Sequence, residues 1–565
     1  MRKVIFFIFV IFLFLFSFPK SIFAISDPLS VPNNKYGIHI IDENDLTDAA
    51  NLVNGNGGQW GYVTMVVTQE DRNTYKWQKT FDRMREFKLI PIMRLATKPQ
   101  NGVWLKPDEK DVENWVNFLK SLNWVVKNRY IVLFNEPNHA NEWGGKIDPQ
   151  SYSQIIQVFH DKLKEASDDF FILPAGFDNA AKDTADTMDV TKFWNLMKNA
   201  DGKIFSLFDG WTSHSYPNPG FSGKPYADGK LSIKSYEWET QYVENFGLKR
   251  NVPIFITETG WIRDLNNSEE LVASNFEKAF TQVWIDPRIV AVTPFVLNYQ
   301  SEPFDNFSWK KPNSKEFYIQ YETVKNLPKN KGKPEQINNN LFFANSLPVE
   351  LVSFSEYEIL AKFSNTGQSI WDETDGFKLN ITGDFQKESI FVGRVPPTEP
   401  YHDTTIKIVL KTPKETGDKK IILQMKKDSK EFGAAILKNI SIISPPTLIM
   451  KTALWFKASS DGNNFFLTLF ENDNKKIEIN DLTFENGVGQ IPELRDVIPN
   501  KTYKFILRKP FYLAKEKEVF LGKGLTVIDF GRMRPFDFNN DGKLNFRDIT
   551  EVLKHPIHSL RALII

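Results

Sequence analysis

YIVLFNEPN, residues 130–138, is the stretch on which the reading of the chain turns. Five apolar, β-prone residues lead towards a carboxylate, Glu136, and the Pro-Asn pair behind it ends the run. VPIFITETGW, residues 252–261, repeats the arrangement and delivers Glu258. Continuous apolar runs of this length suit strands buried on both faces, as in a parallel sheet. When parallel strands close into a barrel, all their carboxyl ends collect on one face, and reactive side chains sit there.

Outward from these two runs the pattern recurs. Short β-rich segments at 35–40, 60–67, 89–95, 130–136, 170–176, 208–216, 252–258 and 290–298 alternate with longer amphipathic stretches. DPQSYSQIIQVFHDKLKEA (148–166) opens with an Asp cap and a proline at the first helical position. DEKDVENWVNFLKSL (108–122) carries apolar residues at helical spacing. Eight such units predict an α/β fold, a (β/α)8 TIM-type barrel over residues 30–327. The alternative is a doubly wound open sheet, but no glycine-rich phosphate loop comes after the first strand.

Bulk properties narrow the rest. The 565 residues exceed one core. Lys+Arg and Asp+Glu are both 70, so charge gives no argument for nucleic acid as a partner. Cysteine is absent, which excludes disulfides, thiolate metal sites and cysteine nucleophiles. Met-Arg-Lys, the apolar run 4–18 and SIFA (21–24) have the order of a secretory signal over residues 1–24, with an uncleaved membrane anchor as the other reading. Both place the protein at the cell surface or outside the cell. Membrane contact is expected only if the segment is retained.

A polar, Lys- and Asn-rich stretch reads as a linker over 328–340. Twelve of the fourteen tryptophans lie at or before Trp309, which suits a first half that packs bulky rings or presents them to a ligand. Residues 341–445 alternate apolar and polar positions and read as a β-sandwich. FSNTGQSIWD (363–372), LKTPKETGDKKIILQM (410–425) and EFGAAI (431–436) together resemble an immunoglobulin-like module. Residues 447–530 read as a second small β-sandwich. Residues 535–556 contain DFNNDGKLNFRD (537–548), with Asp537, Asn539 and Asp541 at loop positions one, three and five. Gly542 is sixth, the backbone carbonyl of Lys543 seventh and Asp548 twelfth, which is the spacing of a calcium loop. A solvated Asp/Asn turn is the plainer reading. The terminal Asp and the Leu544-Asn545 pair resemble the dockerin version of this EF-hand-like loop, which implies a structural Ca2+ and a cohesin-like or cell-surface partner. Residues 555–565 supply no second loop.

Two carboxyl groups facing each other across a barrel mouth are the equipment for breaking a glycosidic bond. At these residues the chain resembles the clan A glycoside hydrolases, across the barrel half. Asn135-Glu136-Pro137 looks like that clan's acid/base motif after strand four. Thr257-Glu258-Thr259-Gly260-Trp261 looks like its nucleophile segment after strand seven. The resemblance implies a retaining β-glycosidase or β-glycanase acting on a carbohydrate, with Glu136 as acid/base, Glu258 as nucleophile and no cofactor for catalysis. It also implies that Asn135 bonds a sugar 2-hydroxyl and that Tyr216, in SHSYP with His214, bonds the nucleophile. Arg94, at the end of the third strand, can keep Glu258 ionised, and His39, ending the first, can contact a sugar hydroxyl. Trp261 and Trp143, just past the two glutamates, are expected as walls for sugar rings, and FDNFSW (304–309) as a flap over the cleft. Clan members carry a Trp at the end of strand eight, where this chain has VLNYQ (296–300). The other readings are a carbohydrate-binding barrel without activity, a cell-surface scaffold, and a transglycosylase using the same glutamates.

Overall fold

The computed structural model describes residues 25–455 and 462–556; the secretory-signal reading falls on 1–24, outside them. Two compact units divide the chain, Met1–Ile337 and Asn338–Ile565.

In the first unit, β1 (Gly37–His39), β2 (Gly61–Thr68), β3 (Leu89–Ala96), β4 (Arg129–Leu133) and β5 (Phe170–Leu173) pair in that order in one sheet. β6 (Trp211–His214), β7 (Ile254–Glu258) and β8 (Ile289–Val292) form a second sheet with β7 in the middle. Each ladder is parallel. A parallel bridge between Tyr36 and Val292 ties β1 to β8. On the other side, Asp209 N donates to Ile172 O at 3.0 Å and Thr212 Oγ1 to Pro174 O at 2.6 Å. The strands are short and apolar because helices cover them: α1 (Leu46–Val53), α2 (Thr74–Glu86), α3 (Val112–Ser121), α4 (Pro149–Ala166), α5 (Val190–Ala200), α6 (Ser235–Glu244), α7 (Glu269–Lys278) and α8 (Ile319–Lys325). The expected cap of α4 is present, with the Asp148 carboxylate accepting from Ser151 N at 2.9 Å.

Each expected strand falls on an observed one, but several stop early. β4 ends at Leu133, not at residue 136, because Phe134 and Glu136 adopt φ of +73° and +31°. Such angles take the backbone out of the ladder, so Glu136 stands on a turn above the sheet.

Residues 328–337, the first part of the stretch read as a linker, are hydrogen-bonded to the first unit. Lys329 Nζ donates to the carbonyls of Val324, Lys325 and Leu327 at 2.7–3.0 Å. Gly332 N bonds Gln59 O, and Lys127 N bonds Glu335 O. Polar composition alone does not separate a solvated linker from a strap whose backbone groups are paired.

The second unit begins with two four-stranded sheets. One joins β9 (Asn340–Asn345), β11 (Glu356–Asn365), β14 (Asp403–Lys411) and β13 (Ile390–Val392). The other joins β10 (Glu350–Val352), β16 (Lys430–Ile443), β15 (Gly417–Lys427) and β12 (Phe377–Gly383). Alternate residues such as Ile359, Phe363, Ile408, Leu423 and Met425 are buried, with Trp371 among them. The strands from Thr447 to Asp537, over the stretch read as a second small β-sandwich, are linked by hydrogen bonds into one eight-stranded order. Its apolar face continues the core of the preceding sheets, and Tyr357 OH donates across to Val497 O at 2.8 Å.

Candidate active site

The carboxyl ends of the eight strands carry the predicted polar residues of the first unit. Glu258 ends β7 and is 8% exposed. Its Oε1 accepts from Arg94 Nη1, and its Oε2 accepts from Tyr216 OH at 3.1 Å. Arg94 lies within β3, two residues before its end, and the same Nη1 donates to Asn135 Oδ1 at 2.8 Å. Burial works to raise the Glu258 carboxyl, but the charges of His214 and Arg94 outweigh it and hold the group well below the usual carboxylate range.

His214 joins the two glutamates. Its Nδ1 donates to Glu136 Oε1 at 2.7 Å and lies 3.8 Å from Glu258 Oε2. Burial disfavours a charge on this ring, yet Glu258 and Glu136 together raise its pKa above the ordinary value. One ligand atom each from Glu136, His214 and Glu258 all fall within 4.8 Å of one another. Gly176 makes this packing possible. A Cβ there would stand 2.8 Å from His214 Cγ and closer still to Cδ2 and Nε2. The Gly176 carbonyl also accepts from Glu136 N at 3.0 Å, holding the turn that carries the carboxylate. Beneath His214, buried Glu239 accepts from Ser213 Oγ, Ser235 Oγ, Asn179 Nδ2 and Trp211 Nε1 at 2.5–2.8 Å, locking β6 to α6.

His39 is fully buried, with Nδ1 3.9 Å from Glu258 Oε1. Burial and the Arg94 charge push its pKa down to about 3, so the ring is neutral, and neither nitrogen has a hydrogen-bond partner.

The two expected tryptophan walls are corrected. Trp143 and Trp261 are each 1% exposed and present no face to a ligand. Trp143 packs edge-on to Phe134 and Tyr152 and donates to Ser151 Oγ. Trp261 packs on Phe276 and donates to Gly223 O at 2.8 Å. The half-exposed rings near the glutamates are others. Phe295, after β8, packs edge-on to His39 with centroids 5.2 Å apart. Tyr216, Phe221, Phe295 and Phe304, bridged by buried Phe307, continue as a run of edge contacts at 5.0–6.2 Å. Of the expected flap, Phe304 is 42% exposed, whereas Phe307 and Trp309 are buried.

Solved structures of glycosidases are similar to this chain. A monomeric β-xylosidase from Caulobacter crescentus CB15 is 12% identical, with 82% of this chain and 95% of that one covered and a TM-score of 0.40. An endo-β-1,4-mannanase from Thermotoga petrophila is 10% identical, covering 74% and 100%, with a TM-score of 0.34. A type II cohesin–X-dockerin complex from Acetivibrio cellulolyticus aligns over 19% of this chain and 72% of that one, 18% identical, with a TM-score of 0.14. No family model and no curated protein matches the chain. The functional reading therefore rests on the geometry of the site.

Glu142 was not anticipated. It closes a short turn, Ala140–Glu142, on the loop that carries Glu136. Burial and the neighbouring Glu136 push it up to about 7. Its place six residues after Glu136 is visible in the sequence; its neighbours are not. Asn138 was also missed. It is fully buried and donates to Asp178 O and Met188 O, stapling the loops after β4 and β5.

In the second unit the predicted calcium loop precedes α9 (Phe546–Lys554). Asp537 and Asp548 are buried. Asp537 accepts from Asp541 N and Gly542 N at 3.0 Å, and Asp548 from Phe538 N at 2.9 Å. Burial raises Asp537, and the charges of Asp548 and Asp541 add to it. Two buried carboxylates that repel one another fit a hard cation with oxygen ligands. Among the described residues, however, these carboxylates do not gather within the 4.8 Å that unites Glu136, His214 and Glu258.

Proposed function

We propose that this chain is a retaining glycoside hydrolase that cleaves β-glycosidic bonds of a poly- or oligosaccharide by double displacement. The chief support is the approach of Glu136 and Glu258, atom to atom within 4.8 Å, the first just past the end of β4 and the second at the end of β7. Retaining pairs stand about 5–5.5 Å apart, whereas inverting pairs leave about 6.5–9.5 Å for a water. In this reading the eight strands close into one (β/α)8 barrel with the glutamates at its mouth.

Ionised Glu258 attacks the anomeric carbon as the glycosidic C–O bond breaks and Glu136 gives its proton to the leaving oxygen. Glu136, now a carboxylate, then takes a proton from water, whose oxygen displaces Glu258. Arg94 and Tyr216 hold Glu258 in its reactive, charged form. His214 faces both glutamates, so its charge can balance whichever is ionised. Asn135 and neutral His39 serve the sugar hydroxyls, and Phe295 replaces the missing tryptophan as a ring surface.

Residues 1–24 would direct export. The second unit would serve attachment, its loop holding Ca2+ through Asp537, Asn539, Asp541, Asp548 and the Lys543 carbonyl, and its C-terminal segment meeting a cohesin-like or surface partner. The calcium assignment is tested by melting the chain with EDTA and then with CaCl2. A rise in Tm that Asp548→Ala removes is expected, and no shift in either protein refutes it.

The catalytic reading is tested on a panel of aryl β-glycosides and β-glycans. Glu258→Ala abolishes turnover, and Glu136→Gln slows natural leaving groups by about 10²–10⁴-fold. NMR of the first-formed product shows retention; inversion would falsify the mechanism.

A further inference from the structure

Glu136 holds an unfavourable backbone. Its φ of +31° lies in the left-handed region, which residues other than glycine enter only where their surroundings enforce it. The enforcing contacts form a ring of hydrogen bonds that runs through the loop after β5. Glu136 N donates to Gly176 O at 3.0 Å, and Glu136 O accepts from His139 N at 2.9 Å. The His139 ring then reaches back to the same loop, its Nε2 donating to Asp178 Oδ2 at 2.9 Å. Beside that bond, Asn138 Nδ2 donates to Asp178 O at 2.9 Å and Asp178 N to Asn138 Oδ1 at 3.3 Å. Asp178 is fixed in turn, its Oδ1 accepting from Ala180 N at 2.7 Å.

One link of the ring joins charged groups. The bond to Asp178 raises the His139 pKa, against the effect of burial. Burial works to raise Asp178 as well, but the bond from His139 outweighs it and holds that carboxyl below its usual range. Such a charge-assisted bond is roughly twice as strong as a neutral one. His139 and Asp178 keep 25% and 29% of their side chains exposed, so the pair ties two loops together and does not fill the barrel core.

We propose that the His139–Asp178 ion pair is a positioning device for Glu136, closing the ring that keeps the acid/base carboxyl aimed at the leaving oxygen. This rests on the retaining reading above. His214 Nδ1, 2.7 Å from Glu136 Oε1, fixes the side chain, and the ion pair fixes the backbone from which that side chain springs. Without the pair the turn relaxes towards ordinary backbone angles. A carboxyl misplaced by about 1 Å transfers its proton poorly, while Glu258 keeps its place through Arg94 and Tyr216. The loss therefore falls on proton transfer and spares nucleophilic attack.

The test uses the full chain and aryl β-glycosides of the sugar that turns over best, from phenyl to 2,4-dinitrophenyl. Their kcat/KM reports the step that breaks the glycosidic bond. In the wild type it depends little on the leaving group. Glu136→Gln makes the dependence steep, because only dinitrophenolate departs readily without a proton. His139→Ala and Asp178→Ala each lower kcat/KM about tenfold on the phenyl glycoside, the scale of one charge-assisted bond, and by less than about twofold on the dinitrophenyl glycoside. Asp178→Asn keeps a neutral bond and falls between. An equal loss on every leaving group, the mark of a merely structural role, overturns the proposal, and so does no loss on any. If neither alanine variant folds, an Asp178→Asn protein with the wild-type leaving-group dependence overturns it instead. A Glu136→Gln protein that shows no leaving-group dependence sinks the underlying acid/base reading, a separate result.

Discussion

Gly176→Ala tests the site through a residue that carries no chemistry of its own. The new Cβ would lie 2.8 Å from His214 Cγ and nearer to Cδ2 and Nε2, whereas carbon atoms settle at about 3.5–4.0 Å. The ring must therefore retreat by about 1 Å or more. That stretches the 2.7 Å bond from His214 Nδ1 to Glu136 beyond hydrogen-bond range and draws a positive charge away from Glu258. Losing a bond to a charged group costs about 1.5–3 kcal/mol. At about 1.4 kcal/mol per decade, kcat/KM falls roughly 10- to 150-fold. The backbone at 176 is not in the left-handed region, so alanine introduces no strain of its own there, and overpacking lowers stability by about 1–3 kcal/mol. The assay is kcat/KM on an aryl β-glycoside, paired with a thermal melt on the same preparation. A folded Gly176→Ala protein within threefold of wild type would show that the His214 contact does not matter.

Two further outcomes rest on the same geometry. Arg94→Met removes a charge that keeps Glu258 ionised, and since the nucleophile works only when ionised, the acid limb of kcat/KM moves to higher pH; an unmoved limb counts against Arg94 as its partner. Phe295→Ala raises KM with little effect on Tm, whereas Trp261→Phe lowers Tm by disturbing a buried ring but leaves KM near wild type; the reverse pattern would restore Trp261 as a wall.

Much of the first unit was legible because its signals are local. Apolar runs, helix caps and their alternation depend on neighbours a few residues away, and each expected strand overlaps one in the structure. The placement of Glu136 just past one strand and of Glu258 at the end of another reflects where those runs stop. The calcium-loop spacing is equally local, and its carboxylates do fold around loop N–H groups.

What the chain order could not express is who meets whom across the fold. Trp143 and Trp261 come after the glutamates in sequence, yet Phe134 and Phe276 draw them into the core. Polar residues 328–337 look free until the backbone of Gln59 and Lys127 is laid beside them. Gly176 is one glycine among thirty in the sequence until His214 packs on it, and Glu142 becomes informative only once it is buried beside the charge of Glu136. Periodicity and turn chemistry are written in neighbouring residues, so the sequence by itself determined where carboxylates leave the strands. Burial, ionisation and orientation are set by residues tens to hundreds of positions apart, so only the tertiary structure decided that His214 bridges Glu136 and Glu258 and that the two tryptophans turn away from them.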